Sequence, residues 1–201
     1  MSADQPKFTL SKGRFEAFSD GVFAIAITLL VLEIRLPTLS SSSSSTAQAH
    51  SLLQLWPSYL VYVASFATIG IMWLNHHALF RSCERITHGI IIANLFLLML
   101  ISFLPFPTAV LGQFGISRTA VVYYGIVLIA IAFGYFFVHQ QVLIAERLPR
   151  QLTLWNIVGL LLYPVGTVVG YFIPLGGIVL FVALALFYML PRNVQSIVLK
   201  Q

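Results

Sequence analysis

Six long apolar segments constrain the fold of this chain more than any other feature. The sequence is 59% hydrophobic and only 8% charged, whereas a soluble domain carries about 25% charged residues. A helix needs roughly 20 mainly apolar residues to cross a bilayer. The segments that meet this requirement are 15–37, 52–79, 87–111, 118–143, 152–172 and 174–190. We therefore expect an all-α, polytopic membrane protein that is one domain, residues 1–201, with six transmembrane helices.

The positions of the basic residues predict the orientation of these helices. With six spans, Arg35 and Arg118 lie on one side of the membrane and the other nine basic residues lie on the opposite side. Those nine are Lys7, Lys12, Arg14, Arg81, Arg85, Arg147, Arg150, Arg192 and Lys200. Because basic loops stay in the cytoplasm, both termini are expected there. The spread of these residues over several loops also argues against a nucleic-acid partner.

The first apolar segment begins with polar residues and continues with an apolar run. From Val22 to Leu32 every residue except Thr28 is apolar. The polar residues just before this run are Arg14, Glu16, Ser19 and Asp20. Charge near hydrocarbon costs a few kcal/mol, so it usually marks a functional site or a paired partner.

A helical projection places large apolar residues of this segment on one line. At about 100° per residue, five of them lie within about 40° of that line. They are Phe18, Ile25, Leu29, Leu32 and Leu36. Such a stripe usually faces lipid or packs in a core. Alternatively, a ring of Ile25 from several subunits would gate a pore by dewetting, and the Thr28 hydroxyl on the same side would ligate a partly dehydrated cation.

The second and third segments carry polar residues at the same predicted end of the bundle. Trp73, His76 and His77 lie near the end of the second segment, and Asn94 lies near the start of the third. Polar side chains in lipid seek partners on neighbouring helices. We therefore predict a network of Arg14, Ser19, Asp20, Trp73, His76 and Asn94.

The adjacent pair His76 and His77 admits three interpretations. Neighbouring helical residues diverge by about 100°, so both bind one metal ion only with a third ligand. Hydrogen bonding within the protein is the favoured interpretation, and proton sensing remains open because His titrates near neutral pH. We expect no resident metal ion and no cofactor.

Two features of the later segments concern packing. Thr167–Phe172 resembles a potassium filter only faintly, since a valine is inserted and the second glycine is missing. Gly166 and Gly170 instead form a small-xxx-small packing step. Pro105 and Pro107 are expected to kink or end the third helix.

The motifs in the first half of the chain closely resemble those of the transmembrane protein 175 family of potassium channels. In the first segment, Arg14-x-x-x-Phe18-Ser19-Asp20 runs into Ala24-Ile25-Ala26-Ile27-Thr28. The second carries Trp73-x-x-His76-x-x-Leu79-Phe80. The third carries Asn94-Leu95 and Ser102-Phe103-Leu104-Pro105-Phe106. Animal members of this family are endosomal and lysosomal with two repeats, whereas bacterial members have one.

The resemblance implies a homotetramer in the lipid bilayer whose first helices line a central pore. Ile25 would form the narrowest constriction, Leu29 and Leu32 would line the pore above it, and Thr28 would provide potassium preference. Arg14, Phe18, Ser19 and Asp20 would form a structural and gating network with Trp73, His76 and Asn94.

We therefore predict a potassium-selective cation channel without a conventional selectivity filter, passing monovalent K⁺ ions in a cell membrane. The alternative is a proton-coupled secondary transporter that uses Asp20 and His76, although such carriers usually show inverted repeats and broken helices. An enzyme is not expected, because beyond Asp20 and His76 the sequence offers no catalytic pair at membrane depth.

Overall fold

The computed structural model describes residues 11–36, 44–81, 83–149 and 154–189, and within these ranges it contains eight α-helices and no strand. The helices are α1 (Lys12–Leu29), α2 (Ser45–Gln54), α3 (Trp56–Arg81), α4 (His88–Ser102), α5 (Pro105–Phe114), α6 (Arg118–Ala145), α7 (Leu154–Phe172) and α8 (Pro174–Met189). A 3₁₀ turn, Leu30–Glu33, extends α1. The predicted all-α class is confirmed.

Four helical stretches are long and apolar enough to cross a membrane. They are Lys12–Glu33, Trp56–Arg81, His88–Phe114 and Arg118–Ala145. Helices α7 and α8 are also apolar but shorter, with 19 and 16 residues. The fourth predicted segment, 118–143, ends two residues earlier than α6 does, and the last two agree with α7 and α8 over the described residues.

Two predicted boundaries were wrong. The first segment does not remain α-helical to residue 37, because α1 ends at Leu29 and Ile34 is already extended. The second segment does not begin at residue 52, since α2 ends at Gln54 and α3 starts at Trp56. Pro57 occupies the first turn of α3, where its missing N–H costs nothing, so a new helix starts there instead of α2 continuing.

The third predicted segment, 87–111, consists of two helices. Helix α4 ends at Ser102 and α5 begins at Pro105. The proline lacks the N–H that would continue the α4 hydrogen-bonding pattern. The predicted proline break is confirmed, and α5 extends the stretch to Phe114.

Helix α6 lies at the centre of the bundle and α1 lies nearer its edge. Helix α6 packs against α4, α5, α7 and α8, whereas α1 packs mainly on α3 and α4. One continuous apolar core joins these helices and includes the fully buried side chains of Phe23, Ile69, Leu97 and Leu128. Consequently one face of α1 contributes to the core and the opposite face lies outside it.

Helices α7 and α8 form a tight hairpin whose contact is made by glycines. Only Ile173 separates the two helices. A Cβ atom on Gly177 would lie 2.6 Å from Cα of Gly170 and 3.0 Å from the carbonyl oxygen of Gly166. Both neighbouring atoms belong to the backbone and cannot move aside as a flexible side chain can. The predicted packing role of Gly166 and Gly170 is confirmed, with Gly177 as their partner.

Gly177→Ala is expected to lower the thermal stability of the detergent-solubilised protein. Overpacking of a close helix contact costs about 1–3 kcal/mol, which outweighs the gain of about 1 kcal/mol in helix propensity. Gly70→Ala is the matched control, because a Cβ at that position of α3 meets no atom within 4 Å. Equal unfolding temperatures for the two variants would contradict the expectation.

Candidate functional site: helix α1 and its polar contacts

Helix α1 has a buried face and an exposed face. The buried side chains recur every three or four residues and are Phe15, Ser19, Phe23, Ala26 and Leu30. On the opposite side, Ile25 is 61% exposed and Leu32, in the 3₁₀ turn, is 70% exposed, and Phe18, Thr28 and Leu29 are also exposed. Leu36 is exposed as well, but it follows the extended Ile34 and does not belong to the helical face. The predicted apolar stripe therefore does not pack in the core of its own chain. It is available to lipid or to another copy of the chain.

Three of the predicted polar residues form a buried hydrogen-bonded chain across three helices. Asn94 Nδ2 on α4 donates to Ser19 Oγ on α1 at 2.9 Å. Asn94 Oδ1 lies 2.8 Å from His76 Nε2 on α3. All three side chains are at most 2% exposed. The amide of Asn94 thus connects α1 to α3 in the interior of the bundle.

The directions of these hydrogen bonds are mutually consistent. Because Asn94 Oδ1 is only an acceptor, His76 Nε2 must carry the proton and donate it. Ser19 accepts from Asn94 and donates its own hydroxyl to the carbonyl oxygen of Phe15 at 3.0 Å. The His76 ring also lies against Phe23 and Phe80, with centroid separations of 5.3 and 4.6 Å. The chain is therefore a fully hydrogen-bonded connection between helices.

Asp20 and Trp73 form a separate contact beside this chain. Trp73 Nε1 donates to Asp20 Oδ1 at 2.8 Å, and both side chains are exposed. His77 stacks on Trp73 with 6.0 Å between ring centroids, so it does not converge with the buried His76. Within the described ranges, no group of three or more His, Cys, Asp or Glu side chains is placed to hold a metal ion.

Arg14 and Phe18 do not join the hydrogen-bonded chain. Both side chains are exposed, and they line a cavity of about 270 Å³ together with Asn94 and Leu95. Among the described residues Arg14 makes no hydrogen bond or ion pair. Water is available at the first turn of a helix, so this guanidinium does not require a protein partner.

The Thr28 hydroxyl is turned back onto its own helix. Its oxygen lies 3.0 Å from the carbonyl oxygen of Ala24 and 2.9 Å from that of Ile25. The hydroxyl proton is therefore engaged by the backbone of the preceding turn, and the oxygen lone pairs remain on the exposed side. Such an oxygen can accept from water or ligate a cation.

Sequence reasoning missed a buried hydroxyl cluster in the middle of the bundle. Ser65 Oγ on α3 lies 3.1 Å from Tyr124 Oη on α6 and 2.9 Å from Thr108 Oγ1 on α5. Tyr124, Thr108 and Ser65 are all buried. Their positions inside apolar segments were a usable signal, because buried hydroxyls in lipid need partners. This cluster fixes α3 against α5 and α6.

The loop between α3 and α4 is held by side chains from two other parts of the chain. Lys12 Nζ, at the start of α1, donates to the carbonyl oxygen of Cys83 at 2.8 Å. Glu146 Oε1, just after α6, accepts from the backbone N–H of Glu84 at 2.8 Å and of Arg85 at 3.4 Å. The loop therefore connects the first turn of α1 to the end of α6.

Glu146→Gln is expected to make stability less dependent on pH in the acid range. The backbone N–H of Glu84 favours the ionised carboxylate and lowers the pKa of Glu146 from its ordinary value of 4.5. This contribution is complete above pH 4.5 and is lost as the pH falls through the lowered pKa. The unfolding temperature of the wild type should therefore exceed that of the variant at pH 7, and this difference should shrink as the pH falls to 3. Glu84→Gln controls for the loss of one negative charge near this contact, and a constant difference down to pH 3 would refute the expectation.

These features define a polytopic α-helical membrane protein whose first helix presents an apolar stripe away from its own bundle. The profile of a protein family described as "Endosomal/lysosomal potassium channel TMEM175" matches residues 14–105. This range contains the apolar stripe of α1 up to Leu32 and the Ser19, Asn94 and His76 chain. The chain belongs to the TMEM175 family.

Two bacterial relatives extend the similarity beyond the first four helices. A potassium channel of Chamaesiphon minutus is 46% identical over 142 residues, covering 69% of this chain and 70% of that protein. A potassium channel of a Chryseobacterium species is 34% identical over 188 residues, covering 90% of this chain and 94% of that protein. The second relative therefore matches nearly the whole length of both chains.

A solved structure has the same fold. The crystal structure of a lysosomal potassium-selective channel TMEM175 homologue from Chamaesiphon minutus superposes with a TM-score of 0.75 at 37% identity. The match covers 89% of this chain and 96% of that one. The similarity thus includes α6, α7 and α8, for which the sequence alone indicated only hydropathy and length.

Proposed function

We propose that this chain is the subunit of a potassium channel and that four copies surround a central pore lined by α1. Family membership and the bacterial relatives named potassium channels support potassium as the permeant ion. The observation that carries the pore assignment is the exposed stripe of α1, opposite a buried face that fixes the helix to α3 and α4. A symmetric assembly covers such a stripe by repeating it around an axis.

In this channel Ile25 forms the narrowest constriction and Leu29 and Leu32 line the pore beyond it. Branched apolar side chains around an axis gate by dewetting. The lone pairs of Thr28 lie one turn from Ile25 on the exposed side of the same helix, where a partly dehydrated potassium ion can use them. Selectivity then arises from hydroxyl oxygens and pore width, without a loop filter. K⁺ is the permeant ion, and the proposed channel needs no cofactor and no catalytic residue.

The network at the base of α1 sets the orientation of the pore helix. The Ser19, Asn94 and His76 chain holds the buried face, and the Asp20 and Trp73 contact holds the flank. Arg14 and Phe18 lie at the first turns, over the cavity beside Asn94. Movement of α1 relative to α3 and α4 would change these contacts, so the network serves structure and gating together.

The proposed topology has six spans in one domain, with both termini in the cytoplasm. Helices α4 and α5 together make one span, and α7 and α8 make the last two. At about 1.5 Å per residue the 19-residue α7 is about 28 Å long, close to the ~30 Å hydrocarbon thickness. The distribution of basic residues supports this orientation, and the cell membrane is the proposed location.

Planar-bilayer recording of the purified protein under opposed potassium and sodium gradients tests the function. A channel gives discrete single-channel currents with a reversal potential displaced toward the potassium equilibrium potential. Saturable, voltage-independent exchange that follows a proton gradient would instead indicate a transporter. Light scattering of the same sample should give a protein mass four times 22.3 kDa, and a monomer would contradict the shared pore.

A further inference from the structure

A cavity of about 450 Å³ lies between α3, α6, α7 and α8, and no described residue of α1 lines it. Small-molecule sites in proteins typically have volumes of about 300–1,000 Å³. The cavity is therefore large enough for an organic ligand. Nothing in the proposed conduction path uses it, because the stripe of α1 contributes no residue to its wall.

The wall of the cavity changes in character along the bundle. Apolar side chains from α3 and α6 form one part and include Ile71, Met72, Ile131 and Ala132. Five polar side chains line the end of the cavity where α3, α6 and α8 end and α7 begins, and they are Asn75, His139, Glu146, Asn156 and Tyr188. The rest of the wall is mainly apolar, although Thr68, Tyr135 and Tyr163 also contribute to it. The cavity thus combines a polar end near the loops with a mainly apolar part deeper in the bundle, as an amphiphile combines a headgroup with a hydrocarbon chain.

The polar end is an ordered site and not a chance collection of surface groups. Asn156 Nδ2 lies 3.1 Å from His139 Nδ1, and Asn156 is only 8% exposed. This contact connects α6 to α7 at the cavity wall. His139 and Asn156 are separated by 17 residues along the chain, nearly the spacing of His76 and Asn94, so a second His and Asn pair joins the next helical hairpin.

The formal charges of the residues that line the cavity indicate which ligand headgroup it can accept. Among the described lining residues Glu146 is the only one with a formal charge, and no Lys or Arg contributes. Its carboxylate already accepts the two backbone N–H groups of the α3–α4 loop. A negatively charged headgroup would meet this carboxylate without a compensating cation, whereas amide, imidazole and phenol groups suit an uncharged hydroxyl.

We propose that this cavity binds an uncharged single-chain amphiphile from the bilayer, such as a long-chain alcohol. Its hydroxyl lies at the polar end, near Asn75, His139 and Asn156. Its hydrocarbon chain lies between Met72 on α3 and Ala132 on α6. The ligand would thereby fill the space between α3 and the helices of the second half of the chain.

Photolabelling in phosphatidylcholine liposomes tests the site directly. The probe is dodecanol with a diazirine in the middle of its chain, and tandem mass spectrometry locates the labelled residues. We expect labelling of cavity residues on α3 and α6. Two probes with the same chain and diazirine serve as comparisons, a dodecanoate and a phosphatidylcholine. Equal labelling by the dodecanoate would overturn the headgroup assignment, and equal labelling by the phosphatidylcholine would overturn the assignment to a single-chain ligand.

Two variants fill the cavity from opposite walls. Ala132→Phe on α6 and Met72→Trp on α3 are each expected to cause loss of cavity labelling. If one of these variants does not fold, the other still tests the proposal. Leu161→Phe is the matched control, since Leu161 is 60% exposed on α7 and does not line the cavity. Labelling unchanged by both filling variants would overturn the proposal. The assay needs no ion current, so failure of the proposed channel function would be detected separately.

Discussion

Ile25→Asn is expected to raise the potassium conductance of the reconstituted channel about tenfold and to weaken its preference for potassium over sodium. In the proposed tetramer, a ring of four isoleucines would present only apolar surface to the pore, so water would leave the constriction and an ion would cross it poorly hydrated. Four amide side chains would hold water there. A tenfold increase in conductance corresponds to lowering the free-energy barrier to ion passage by about 1.4 kcal/mol. Hydration of one constriction is sufficient for a change of this size.

Val31→Asn is the matched control for this experiment. Val31 is a branched residue that is 51% exposed in the 3₁₀ turn extending α1. With about 100° per residue in the α-helix and about 120° in the turn, it lies about 80° from the line through Ile25. Single-channel recording of both variants should show the increase only for Ile25→Asn. If neither variant changes the current while both reduce the yield of folded protein, the stripe faces lipid and the pore assignment is wrong.

The periodicity of the first segment was sufficient to predict which side chains of α1 share a face. Phe18, Ile25 and Leu29 fall on one line in projection, and all three are exposed in the folded chain. Periodicity cannot decide between lipid and a pore, because both accept an apolar surface. The proposal that the stripe lines a pore therefore draws on family membership, and the two variants above test it.

The partners within the polar network were predictable in part. Ser19, His76 and Asn94 lie inside apolar helices, where a polar side chain must find a partner in the protein. Arg14 was included by the same reasoning, yet it lies at the first turn of α1, where water competes for its guanidinium. Proximity in sequence to an apolar run therefore did not establish burial.

The helix boundaries and the contact between α6 and α7 illustrate what the sequence did not reveal. Pro105 marked the break between α4 and α5, because a proline in a helix interior removes a hydrogen bond. Pro57 gave no such signal, since the first turn of a helix accepts proline and the break before it needs no special residue. His139 and Asn156 lie on successive apolar segments, and only the packing of α6 on α7 brings them together.

Asn94→Leu is expected to destabilise the folded protein by about 2–3 kcal/mol, more than any other single change in the network. Leu keeps the number and branching of the side-chain heavy atoms of Asn but has a larger volume, so the loss combines the missing amide with some overpacking. His76 Nε2, in a side chain that is 2% exposed, is then left with a proton and no acceptor, and a buried unsatisfied donor costs about 1–3 kcal/mol. Hydrogen bonds between membrane helices average only about 0.6 kcal/mol, so a loss near that value would contradict a central role for Asn94.

Two further variants separate the missing hydrogen bonds from a packing defect. Adding His76→Phe to Asn94→Leu removes the imidazole N–H that Asn94→Leu leaves without an acceptor. It also places an aromatic ring between Phe23 and Phe80, which already contact His76. Replacing both partners by apolar groups restores much of the stability when the penalty comes from desolvation, so the double variant should unfold at a higher temperature than Asn94→Leu alone. Asp20→Asn keeps an acceptor for Trp73 at an exposed contact and should change stability by less than about 0.5 kcal/mol. Additive losses in the double variant would mean that the two helices are joined by shape and not by the amide of Asn94.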